Sequence, residues 1–146
     1  PSGDREKFVN AKNALDAVLA QKFIGSSLWP GNSTGSWKFG LLNNIDSEPD
    51  MWPVDEFTGV GEGEICNDII KTLRNALAHG NIFFRGNPCI DRLIFLSRIH
   101  HRKPELGYRC VVVTPLDLKT MINKWFIMIN DLKLPEGFFE NSSTFE

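Results

Sequence analysis

Three stretches of the chain repeat apolar residues at helical spacing, and the ground between them does not. Phe8, Ala11, Leu15, Val18 and Leu19 form one stripe, which predicts an amphipathic helix from Ser2 to Lys22. Asp4 and Glu6 stand early and Lys22 late, as the helix dipole favours. A second stripe, Ile65, Ile69, Ile70, Leu73, Ala76 and Leu77, predicts a helix that begins near Glu64 and is stopped by Gly80. Glycine takes the left-handed conformation that closes a helix at little cost. The third helix starts at Thr114-Pro115-Leu116-Asp117: a hydroxyl N-cap, proline at the first helical position and an acid at the third. It runs to about Leu132, with Leu118, Met121, Ile122, Trp125 and Ile129 on one face. Phe126, Ile127 and Met128 add apolar surface on other sides, which points to a buried helix or a subunit interface.

Between the first two helices, residues 23–63 lose all periodicity. Gly25, Ser26, Ser27, Pro30, Gly31, Asn32, Ser33, Gly35 and Ser36 are loop chemistry, yet Trp29, Trp37, Phe39, Leu41, Leu42, Met51, Trp52 and Phe57 are interleaved with them. The expectation is a long, ordered segment wrapped over the core, with short helical or extended pieces in it. Its aromatics are expected to anchor it; the sharper alternative is a groove wall on which bases stack. After the second helix, Asn81 to Pro88 ends in a Gly86-Asn87-Pro88 turn. Leu93-Ile94-Phe95-Leu96, within Ile90 to Ile99, fits a buried strand or a helical turn, whereas Tyr108 to Thr114 is β-branched and strand-like. We take the two as an antiparallel hairpin across His100–Gly107. The tail Asn141–Glu146 is expected to fray. The resulting expectation is one mainly α domain over residues 1–146: an antiparallel helical bundle with an added β-hairpin.

Composition narrows the class. The 146 residues suffice for one core, and a net charge of -2 gives no global basic field for nucleic acid, so such contact must come from a local patch or a dimer cleft. Cys66, Cys89 and Cys110 are odd in number and lack C-x-x-C spacing, which argues against a disulfide framework or zinc site and for the cytoplasm. No membrane-length apolar run or signal peptide is visible. The chain begins at Pro1, so a processed form or a piece of something longer is expected.

The chemistry concentrates late in the second helix. Arg74 offers a planar fork of donors suited to phosphate. His79 sits at a helix C-terminus, where the dipole favours a cation, and Asn75 stands four residues before it, placed to orient the ring. An imidazole to move protons and a guanidinium to hold a pentacoordinate phosphate are enough for metal-independent RNA cleavage by the 2′-hydroxyl. No acidic cluster of the kind that holds Mg²⁺ is evident, and no cofactor is implied.

Arg74-Asn75-Ala76-Leu77-Ala78-His79 resembles the R-x4-H signature, in its RN-x3-H form, of HEPN domains. Those are helical bundles that often act as metal-independent endoribonucleases in toxin–antitoxin, CRISPR and antiviral systems. The resemblance implies that Arg74 and His79 are a catalytic pair assisted by Asn75. It also implies a homodimer with a composite active site, and an antitoxin or larger defence complex as partner. One subgroup carries a tyrosine four residues after the histidine; here that residue is Phe83, so adenylylation there is not implied.

A second patch, Arg98-Ile99-His100-His101-Arg102-Lys103, lies at the expected hairpin tip. Arg98, His100, His101, Arg102 and Lys103 fit an RNA backbone, and equally a solvated loop. Adjacent histidines are poor metal spacing. The leading expectation is a cytoplasmic endoribonuclease leaving 2′,3′-cyclic phosphate and 5′-hydroxyl ends. The alternative is a non-catalytic module that binds RNA, nucleotide or protein. Five positions separate Arg74 from His79, about 140° around an ideal helix. Either the Gly80 end unwinds, or a second subunit completes the site.

Overall fold

The computed structural model describes residues 2–28, 35–59, 65–86, 88–100 and 102–139. Trp29, Asn87, His101 and the tail 140–146, all part of the expectations above, lie outside them. The described residues build three α-helices, α1 (Ser2–Leu19), α2 (Cys66–His79) and α3 (Pro115–Leu132), and five strands. The strands are β1 (Lys38–Leu42), β2 (Thr58–Gly59), β3 (Ile82–Arg85), β4 (Arg92–Arg98) and β5 (Tyr108–Val113), in the sheet order β2-β1-β5-β4-β3 with every pairing antiparallel.

This overturns the helical bundle. The fold is α+β, and the expected hairpin is the middle of a sheet rather than an addition to helices. Alternate residues of β4 and β5 go to opposite faces, and both faces are buried. Phe95, Val111 and Val113 belong to a core shared with all three helices, whereas Ile94, Leu96, Cys110 and Val112 join Leu42, Trp52 and Val54 beneath. A strand covered on both sides shows no alternation, which is why Leu93–Leu96 read ambiguously.

The segment expected to be an ordered wrap with short helical or extended pieces supplies β1, β2 and two 3-10 turns, Pro49–Met51 and Val54–Glu56. Its described aromatics anchor it, as the simpler expectation held. Trp37 is wholly buried edge-on to Phe23 at 5.3 Å. Trp52 donates from Nε1 to the Ser47 carbonyl at 3.1 Å and stands edge-on to Phe83 at 4.9 Å. Phe57 lies across Gly40, where any Cβ would overlap its ring.

The helices follow the sequence with shifted ends. α1 stops at Leu19 because Lys22 leaves to bridge Ile65 and the Gln21 carbonyl accepts from the Cys66 amide at 2.9 Å. α2 ends as expected: Gly80 is left-handed at φ 68°, its N–H bonds the Leu77 carbonyl, and Asn81 N–H bonds that of Ala76. That is a Schellman closure, which turns the chain directly into β3. α3 closes at Lys133, left-handed at φ 50°, just ahead of Leu134-Pro135.

Thr114 ties β5 to α3 and to β1. Its Oγ1 accepts from Asp117 N at 3.3 Å and shares a hydrogen bond with Ser36 Oγ at 3.0 Å, while Asp117 Oδ2 accepts from Ser36 N at 2.7 Å. Thr114→Ala should therefore cost about 1–2 kcal/mol, the upper part of the range for an N-cap, measured by urea denaturation. A loss under a few tenths would show that the cap contributes nothing here.

Candidate functional site

α2 buries Ile69, Leu73 and Ala76 against the sheet and α1, which fixes what its flanks can face. At about 100° per residue, Ile70, Arg74 and Leu77 fall on one flank, Asn75 and His79 on the other. The helix stays regular through His79, so Gly80 does not swing the imidazole round. Arg74 and His79 accordingly look to different sides. Arg74 lines an apolar groove; Asn75 and His79 line a polar cavity of about 660 Å³.

The far wall of that cavity is the end of β4. Ser97, Arg98, Ile99 and His100 enter it, with Asn81 from the α2–β3 junction. The motif helix and the basic patch, separate in the sequence, thus meet in one place. β4 pairs with β3, and β3 starts two residues after Gly80, so the Schellman closure itself sets the distance between the two walls. Asn81 reinforces it, its carbonyl accepting from Leu96 N at 3.0 Å.

Inside the cavity Asn75 is held from both ends. Its Oδ1 accepts from Arg74 Nη2 at 3.1 Å and its Nδ2 donates to Ser97 Oγ at 3.2 Å. Since Ser97 Oγ accepts there, the hydroxyl proton is left to donate elsewhere. His100 Nδ1 accepts from Arg102 N at 3.1 Å. His79 and Arg98 are exposed. The lining residues include Arg98, two histidines, two asparagines and Ser97, with no Asp or Glu among them. Such a set attracts an anion and offers two groups able to exchange protons.

Comparison with family models, curated proteins and solved structures found no match to this chain.

Of the residues singled out from sequence, Asn75, His79, Arg98 and His100 converge. Arg74 touches the cavity only through Asn75, and Arg102 and Lys103 are exposed on the β4–β5 turn outside the lining. His101 lies outside the described residues. Sequence reasoning missed Ser97 and Asn81. Period-two alternation from Leu93 and Phe95 puts Ser97 on the helix side of β4, a signal masked by the strand's ambiguous assignment. Asn81 follows the helix-closing glycine, where it reads as ordinary turn chemistry.

The described residues hold no group of three or more His, Cys, Asp or Glu placed to bind a metal, and no helix among them is long and apolar enough to cross a membrane. The cysteines are not part of the cavity. Burial pushes the Cys66 thiol up, partly offset by a hydrogen bond with Ser26, and pushes Cys110 up to about 12. Cys89 is exposed. A thiol reagent at mildly alkaline pH should thus label one cysteine rapidly in the folded protein and all three after denaturation, because only the accessible thiolate reacts. Rapid labelling of all three without denaturant would contradict this burial.

Proposed function

We propose that this chain is a metal-independent endoribonuclease, and that the polar cavity between α2 and β4 is its active site. The observation carrying this reading is the meeting of His79 and His100 with Arg98 around one anion-attracting cavity whose lining carries no carboxylate. One imidazole removes the proton of a ribose 2′-hydroxyl as that oxygen bonds to phosphorus. The other protonates the departing 5′-oxygen as its bond to phosphorus breaks. The products are a 2′,3′-cyclic phosphate and a 5′-hydroxyl. Arg98, exposed at the last position of β4, supplies positive charge at the cavity edge, and Asn75 fixes Ser97 so that its hydroxyl can donate to a phosphoryl oxygen. The RN-x3-H resemblance supports the same chemistry and extends the reading to a toxin or antiviral effector.

Incubation of defined RNAs with the protein in excess chelator should give these ends. His79→Ala and His100→Ala should each slow cleavage by about 10²–10⁴-fold, the usual worth of a general acid or base. Unchanged cleavage by both variants would remove the cavity from consideration.

A second reading is a module that binds RNA without cutting it. It is favoured by Arg74, whose guanidinium bonds Asn75 and which is not among the residues lining the cavity. RNA retained in a gel shift with no product ends would select it. The resemblance also implies that Arg74 of a second copy completes each cavity. Mixing inactive His79→Ala and Arg74→Ala chains should then restore activity in the mixed dimer; no restoration, or an active monomer, would refute the composite site.

A further inference from the structure

The other flank of α2 borders a groove of about 570 Å³ that none of the described residues fills. Leu77 on α2, Phe84 on β3 and Ile122 on α3 rim it and stand 64%, 57% and 40% exposed. Phe126, one turn beyond Ile122 on α3, is 65% exposed. At roughly 150–250 Å² for a large side chain, these four leave on the order of 400 Å² of apolar surface in water. That is about half of the ~800 Å² per partner that a stable interface covers, before the groove walls are counted. The groove has almost nothing polar to offer an occupant. Arg74 lines it, but Nη2 is turned to Asn75 and Nε is inaccessible. What covers the groove is therefore neutral and apolar at the contact.

The same margin of the molecule carries an unpaired strand edge, because β3 is the last strand of the sheet. The Asn81 carbonyl accepts from Leu96 N, so Asn81 and Leu96 are a hydrogen-bonded pair. By antiparallel alternation, Phe83 and Ile94 are the next such pair. The N–H and C=O of Ile82 and Phe84 therefore point away from β4, and no described residue bonds them. Ile82 and Phe84 are also the β3 residues that line the groove. An apolar small molecule would cover the groove and leave this edge bare. A strand with apolar surface beside it satisfies both, and the chain itself carries that combination. We infer that two copies pair antiparallel through β3 about a two-fold axis, joining their sheets and laying groove rim against groove rim. A register centred on Phe83 sets Ile82 opposite the partner's Phe84 and pairs every outward backbone group. It also sets Arg85 opposite the partner's Asn81, so no like charges face each other along the strands.

The contact lies on the flank of α2 away from the polar cavity, so its test is independent of RNA cleavage and of any composite site. Sedimentation equilibrium of the whole chain at micromolar concentrations should give the mass of two chains. Leu77→Glu and Phe84→Lys, both at exposed rim positions, should each weaken the dimer at least tenfold. Amide hydrogen exchange then identifies the strand contact. In the dimer the amides of Ile82, Phe83 and Phe84 should all exchange slowly. In the Leu77→Glu monomer those of Ile82 and Phe84 should become fast, while Phe83 stays protected by β4. A chain that remains monomeric at high concentration would overturn the proposal and leave the groove to another occupant. So would a dimer that neither substitution weakens, or one in which the Ile82 and Phe84 amides exchange freely. Circular dichroism of each variant separates loss of the interface from loss of the fold.

Discussion

The structure depends on one packing contact: the buried stripe of α2 laid on the middle of the sheet. Ile69, Leu73 and Ala76 share a core with Phe95 of β4 and with Val111 and Val113 of β5. Each fully buried aliphatic side chain contributes on the order of 1.5–3 kcal/mol, so this seam outweighs any single polar interaction on the helix. Because the stripe must face the sheet, the orientation of every other α2 residue follows. Arg74 has no freedom to join His79.

The sheet reaches that position because it is covered twice. Helices close one face, and the segment carrying Trp52 and Val54 closes the other, with Phe83 packed against Trp52 at the β3 end. An antiparallel sheet with a wet face would have shown alternating polar residues; β4 and β5 show almost none until Ser97 and Arg98. Those two residues come where the strand leaves the core and the cavity begins. The change from apolar to polar along β4 is thus also the boundary between scaffold and site.

Two concave features of opposite character flank one helix. The cavity side is polar and cationic, the groove side apolar, and the hydrogen bond from Arg74 Nη2 to Asn75 Oδ1 joins them. Asn75 in turn holds Ser97. Anything that moves the Arg74 guanidinium is felt at the Ser97 hydroxyl, two hydrogen bonds away. The RN pair therefore reads physically as a bridge between flanks, with His79 one turn further on the cavity side.

By itself the sequence determined the local events. The three helices, the Thr114-Pro115 start and the Gly80 stop all follow from spacing, capping and backbone preference within a few residues and are found, although Leu77 and Ile122 of the expected stripes stand exposed. Also found is the pairing of β4 with β5, which needs only a short connection. Tertiary structure decided the rest. Residues 38–42 became a strand because β5 offered an edge, although Gly40 and the neighbouring loop residues gave no local preference for it. The bundle gave way to a sheet because two-sided burial, unlike helical periodicity, leaves no pattern that distinguishes its partners. The separation of Arg74 from His79, foreshadowed by 3.6-residue geometry, became definite only once the helix was seen to stay regular to its last residue. The approach of Arg98 and His100 to His79 is a contact across about twenty positions, set by β3 and the turn that follows it, and no motif within either segment encodes it.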